Sequence, residues 1–161
     1  MMNPFGSITL LTLIPLVGGL IVAALPPGQK TLARRLGFGV SLLALAVAGA
    51  LWAGFDRDST ALQYVERHAW IPTLAVEYFV GVDGMGLLMV MLAALLVPLA
   101  LLAAARTEER VPLYFALVLW LEAGMFGAFT ALHFFHGFPF WELSMIPAFF
   151  LVRLWGGQDR E

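Results

Sequence analysis

Five apolar runs dominate this chain, and each is long enough to cross a lipid bilayer. They extend from about Phe5 to Leu25, Leu36 to Phe55, Met85 to Ala105, Pro112 to Leu132 and Phe138 to Trp155. As helices, runs of roughly 18–21 residues measure about 27–32 Å, the thickness of a hydrocarbon core. Backbone groups facing lipid must bond within their own segment, so helix is the conformation expected for every run. Apolar residues make up 61 % of the chain and charged residues 12 %. The charged share is about half that of a soluble protein, and a soluble fold of 161 residues cannot hide so much apolar surface from water.

The loops set an orientation. Lys30, Arg34 and Arg35 follow the first run, which has no basic segment before it, so a cleaved signal peptide is not expected. Alternation places Lys30, Arg34, Arg35, Arg106, Arg110, Arg153 and Arg160 on one side and only Arg57 and Arg67 on the other. The positive-inside bias then predicts about five transmembrane helices, N-out and C-in. The long connection from Asp56 to about Val80 mixes charge with Tyr64, Trp70, Ile71 and Tyr78. It reads as an external hairpin or interfacial segment rather than a disordered linker. Pro15, Pro98 and Pro147 interrupt spans, and Gly18, Gly19, Gly124 and Gly127 allow close helix approach. Both features suit ordinary bundle packing.

Several function classes are excluded. The net charge of −2 gives nucleic acid no footing, and the absence of cysteine removes disulfides, thiolate metal sites and iron–sulfur clusters from this chain. The sequence contains no Walker, dinucleotide-binding, zincin or GxSxG motif.

What remains is ionisable chemistry inside the spans. Glu122 lies mid-way along the fourth run, in Trp120-Leu-Glu-Ala-Gly-Met125. A charged group at the bilayer centre costs about 2.5–3.5 kcal/mol on insertion scales, which marks it as a functional candidate. The plainer alternative is a protonated, hydrogen-bonded structural acid. Glu142 lies in Phe138-Pro-Phe-Trp-Glu-Leu-Ser-Met-Ile-Pro147. A helix starting at Pro139 would put it near the surface, and one already including Phe134 and Phe135 would put it deeper. Pro147 has no N–H, so the Leu143 carbonyl loses its helical partner, and Ser144 adds a hydroxyl nearby. Acid, bend and hydroxyl together suggest a hydrated proton site.

His133 and His136 flank the turn between the last two spans, and either relay protons or sit as interfacial residues at a helix end. A haem site is not expected from two histidines on one turn. Asp83, just before the third span, reads as a helix N-cap. Arg153 either snorkels to headgroups or lies on the inner side of a proton path.

Three stretches carry a family resemblance: Phe79-Val-Gly-Val-Asp-Gly-Met-Gly-Leu-Leu88 with the run after it, Leu121-Glu-Ala-Gly-Met125, and Phe140-Trp-Glu-Leu-Ser-Met-Ile-Pro147 closing with Leu154-Trp-Gly-Gly157. In order and spacing they resemble the antiporter-like subunit M, or chain 4, of NADH–quinone oxidoreductase, respiratory complex I. The resemblance implies an all-α partial antiporter-like bundle. Residues 1–80 would form a two-helix region with an external loop at 56–80, and 81–161 the start of a proton-translocating domain. It implies that Glu142 pairs with a lysine two helices later, which tunes its proton affinity, and that Glu122 is a further acidic residue in the fourth helix. It also implies that NADH, flavin, iron–sulfur clusters and quinone belong to partner subunits, with no cofactor in this chain. The partners would be other membrane subunits and the lipid bilayer, without nucleic acid, in a prokaryotic inner membrane.

Two departures stand out. Family members often carry aspartate where this chain has His133, and the family's subunit continues well past a fifth helix to the key lysines. An N-terminal fragment, split gene product or truncation is therefore expected. The alternatives are a subunit of a cation/proton antiporter or membrane-bound hydrogenase, and a non-transporting membrane scaffold.

Overall fold

The computed structural model describes residues 6–71, 73 and 76–156. Phe5, Gly157 and Arg160 lie outside that set. Five helices follow one another: α1 (Ser7–Ala23), α2 (Lys30–Ala53), α3 (Gly84–Ala103), α4 (Val111–Thr130) and α5 (Phe134–Trp155). A hairpin of β1 (Gln63–Ile71) and β2 (Val76–Val82) separates α2 from α3. Helices α2, α4, α5, and α3 with the 3-10 turn after it (Ala104–Arg106), are long and apolar enough to cross a membrane, while α1 is a shorter apolar helix of 17 residues.

Local chemistry fixes the ends. α2 begins six residues before its apolar run because Lys30 and Arg34, one turn apart, both reach Glu108 at 2.8 Å in the α3–α4 turn. That pair of cations holds the exposed Glu108 carboxyl below the usual carboxylate range, the Lys30 bond first and the Arg34 bond next. Asp83 caps α3, its side chain accepting the Gly86 N–H at 2.6 Å. Pro112 sits in the first turn of α4, where an amide would lack a helical partner anyway. α4 stops at Thr130 because the chain turns to extended backbone, bridging Ala131 to Val80 and donating the Leu132 N–H to the Phe79 carbonyl at 2.9 Å.

The buried side chains form two apolar clusters stacked along the helix axes. One, toward the hairpin, contains Ile8, Leu11, Ala44, Ala48, Leu51, Val80, Leu87, Val90, Ala94 and Phe126. The other, toward the basic turns, contains Val22, Ala33, Val97, Leu101, Val111, Phe115 and Leu119. α4 contributes thirteen buried residues and packs on all four other helices. Close approach depends on glycine: a Cβ at Gly127 would lie 2.1 Å from the Phe140 ring and one at Gly124 2.5 Å from the Ser144 nitrogen. The outward faces stay apolar, with Leu20, Leu99 and Phe149 more than half exposed, as lipid contact requires.

Candidate functional site: buried acids in a helical bundle

Glu122 is fully buried, at 0 % exposure. It is the twelfth of twenty residues in α4, and neither carboxylate oxygen has a hydrogen-bond partner among the described residues. A buried polar group ordinarily finds a partner, so two orphan oxygens on one side chain are an exception that calls for a ligand, a water or a mobile proton.

Glu142 takes the deeper of its two sequence-stated positions, because α5 begins at Phe134 rather than at Pro139. It is the ninth residue of α5, about 12 Å along the axis from the helix start. Glu122 lies eight residues from the Thr130 end of the antiparallel α4, so the two acids sit at similar depth. They do not share a face. Gly124 and Gly127 mark the side of α4 that packs on α5, and Glu122 is rotated from Gly124 by about 200° at 100° per residue. Glu142 is half-buried and makes no ion pair among the described residues. Beside it, the Ser144 hydroxyl donates to the Trp141 carbonyl at 2.6 Å, and Pro147 is buried.

The histidines occupy the hairpin end. His136 lies in the first turn of α5 and is 6 % exposed, packed against protein at the helix end. Its ring meets the edge of Tyr78 at 4.7 Å and Phe140 at 4.8 Å. His68, Ala69, Tyr78, His136 and Phe140 line a recess of about 420 Å³. His133 precedes α5 without capping it, its Nδ1 buried and unpartnered among the described residues. Arg153 is exposed at the basic end, 5.9 Å from the Phe149 ring centre, and lines a small recess with Glu109, Arg110 and Trp155.

One acid escaped the sequence reading. Glu66 of β1 accepts the Ile8 N–H at 2.7 Å, the Thr9 N–H at 3.3 Å and the Thr9 hydroxyl, satisfying the first amides of α1. Thr9 Oγ1 also bonds the Tyr78 hydroxyl. Burial pushes the Tyr78 hydroxyl above its ordinary value, the Thr9 bond opposing and the Glu66 charge adding to the effect. Nothing local in the sequence signals this contact, which spans 57 and 58 positions.

No protein-family model matches the chain. F(420)H(2) dehydrogenase subunit M of Methanosarcina mazei is 37 % identical over 153 residues, 94 % of this chain and 30 % of the relative. NADH-quinone oxidoreductase subunit M of Rhodobacter capsulatus is 36 % identical over 157 residues, 95 % of this chain and 30 % of the relative. The chain resembles subunit M of the quinone oxidoreductases. A chain 4 of the NAD(P)H-quinone oxidoreductase of a Nostoc species, also similar, is 32 % identical across 99 % of this chain and 30 % of its own length. The chain thus spans about 30 % of the length of the subunit M and chain 4 relatives it matches. In fold it is similar to a chain in the structure of the membrane-bound sulfane sulfur reductase, an archaeal respiratory membrane complex. The TM-score is 0.69, over 93 % of this chain and 23 % of that one, at 18 % identity.

Proposed function

We propose that this chain forms part of a proton-translocating membrane subunit of a complex I-type quinone oxidoreductase, with Glu122 and Glu142 as proton-carrying groups. The observation that carries the reading is Glu122: an acid with 0 % exposure and no partner for either oxygen among the described residues, mid-way along an apolar helix. Burial favours the neutral form of a carboxylic acid and a nearby cation favours the ionised one, so a moving cation loads and unloads such a group. In this reading the cation facing Glu142 comes from a helix beyond the five described. The hairpin end faces outward and the basic turns face the cytoplasm of a prokaryotic inner membrane.

Redox chemistry belongs to partner subunits, which hold NADH or another donor, flavin, iron–sulfur clusters and quinone. The relatives' own names print a subunit letter or chain number beside the donor F420H2, NADH or NAD(P)H, which makes each of them one chain of a larger enzyme. This chain then answers to electron transfer without touching the electron donor.

The test is Glu142→Gln and Glu122→Gln in the intact complex, reading protons moved per electron transferred. Each substitution keeps the side-chain shape and removes the titrating proton. The expected result is a lower ratio at normal assembly. An unchanged ratio in both variants refutes the proposal.

A further inference from the structure

The two apolar clusters leave a layer between them, and two buried polar side chains, Glu122 and Ser41, fall in it. On α4, Leu119 belongs to the cluster at the basic end and Phe126 to the cluster at the hairpin end, with Glu122 between them. On α2, Ala33 and Ala44 belong to the two clusters in the same order, and between them lies Ser41 at 0 % exposure. On α3, Ala94 belongs to one and Val97 to the other.

The helix register brings these three positions together. A Cβ at Gly37 would touch the Phe115 ring at 2.6 Å, so Gly37 and Phe115 are level. α2 and α4 run in the same direction, which puts Ser41 level with Leu119 and Ala44 level with Glu122. Ser41 therefore lies about one turn along the helix axes from the level of Glu122. A Cβ at Gly86 would lie 3.3 Å from the Phe129 carbonyl oxygen. α3 runs opposite to α4, so Ala93 falls level with Glu122 and Ala94 with Leu121. The buried side chains of α2 and α3 at this depth are alanines, Ala44, Ala93 and Ala94.

Ala94 brings more than small size. Pro98, four residues on, is buried on the same face of α3 and has no N–H. The Ala94 carbonyl therefore lacks its helical donor at the level where Glu122 lacks partners. Ser41 donates its own hydroxyl proton to the Phe38 carbonyl at 2.9 Å, which leaves its oxygen lone pairs to accept.

We propose that Glu122, Ser41 and the Ala94 carbonyl hold a buried water molecule between α2, α3 and α4. The donors and acceptors balance. The Glu122 O–H donates to the water oxygen, and the two water O–H bonds go to the Ala94 carbonyl and to Ser41 Oγ. Three partners is the usual number for a buried water. The site opens on the α2–α3 side of α4, away from α5 and Glu142. Glu122 thus exchanges its proton through the α2–α3 side, with Ser41 as a positioning residue. The water site stands on geometry alone, while its service as an exchange route rests on the proton-pumping reading above.

The test is infrared spectroscopy of the intact complex, with Glu122→Gln identifying the carboxyl C=O band. Ser41→Ala removes one acceptor, and Pro98→Ala returns an N–H to the Ala94 carbonyl and removes the other. Each is expected to raise the band frequency and to slow its hydrogen–deuterium exchange by roughly tenfold, the loss expected for one hydrogen bond. A band that ignores both substitutions overturns the site. So does a band that vanishes on adding sodium, since that would make the occupant a cation and Glu122 its ionised ligand. If Glu122→Gln and Glu142→Gln both leave pumping unchanged while the band responds, the water site stands and the pumping reading falls. If pumping falls but the band is indifferent, the opposite holds.

Discussion

Removing the Glu66 carboxylate should loosen the first turn of α1 without touching the bundle below it. A helix start leaves its first amides without internal partners. Here Glu66 serves two of them, Ile8 at 2.7 Å and Thr9 at 3.3 Å, and also takes the Thr9 hydroxyl. A lost helix cap costs about 0.5–2 kcal/mol, and a carboxylate at a helix N-terminus adds about 0.3–1 kcal/mol through the dipole. Because the group is half-buried and accepts three bonds, Glu66→Ala should cost about 2 kcal/mol locally. At 1.4 kcal/mol per decade, that makes local opening about thirtyfold more frequent. The assay is amide hydrogen exchange read by mass spectrometry on a peptide covering Ile8 and Thr9. Exchange there should accelerate about thirtyfold, while peptides from α4 stay unchanged. Unaltered exchange at Ile8 would refute the capping role, and equal acceleration in α4 would refute its local character. Gly6→Ala offers an independent route to the same result, because its Cβ would fall 1.8 Å from the Glu66 carboxyl carbon.

Two further outcomes follow from packing and titration. Gly127→Leu drives side-chain atoms into the Phe140 ring and should cost about 1–3 kcal/mol, seen as a lower melting temperature of the full chain, whereas Gly39→Ala, inside α2 with nothing within 4 Å of its Cβ, should not lower melting and gains helix propensity. Tyr78 is held neutral in the folded hairpin, so above the ordinary phenol value of 10.0 the unfolded chain gives up its proton first and stability falls with rising pH. Tyr78→Phe should reduce that alkaline loss in an exchange measurement on the hairpin peptides, the remainder coming from Tyr64, whose hydroxyl burial also raises.

The helices were legible because lipid demands long apolar runs, and the observed boundaries differ from the runs by a few residues for identifiable reasons. α2 extends backward because Lys30 and Arg34 find Glu108. α5 extends backward to Phe134, taking in His136 and Pro139, and this sets the depth of Glu142. Glu122 announced itself as a charge in an apolar run. Ser41 gave no such signal, since a serine in a helix is ordinary and its meaning depends on which cluster boundary it meets. Pro98 announced a freed carbonyl but not where that carbonyl points. Glu66 was one of several acids in a polar loop, and only the fold brings it to Ile8 and Thr9.

The pairing between the end of α4 and β2 has a mechanical consequence. The Leu132 N–H is tied to the Phe79 carbonyl, and the same hairpin is fastened to α1 by Glu66. An axial slide of α4 would have to tear that junction apart, whereas a swing about it would leave every one of those bonds intact. At the other end of that helix the Glu108 bonds to Lys30 and Arg34 tie the α3–α4 turn to α2, so a swing of the helix that carries Glu122 has to take α2 with it.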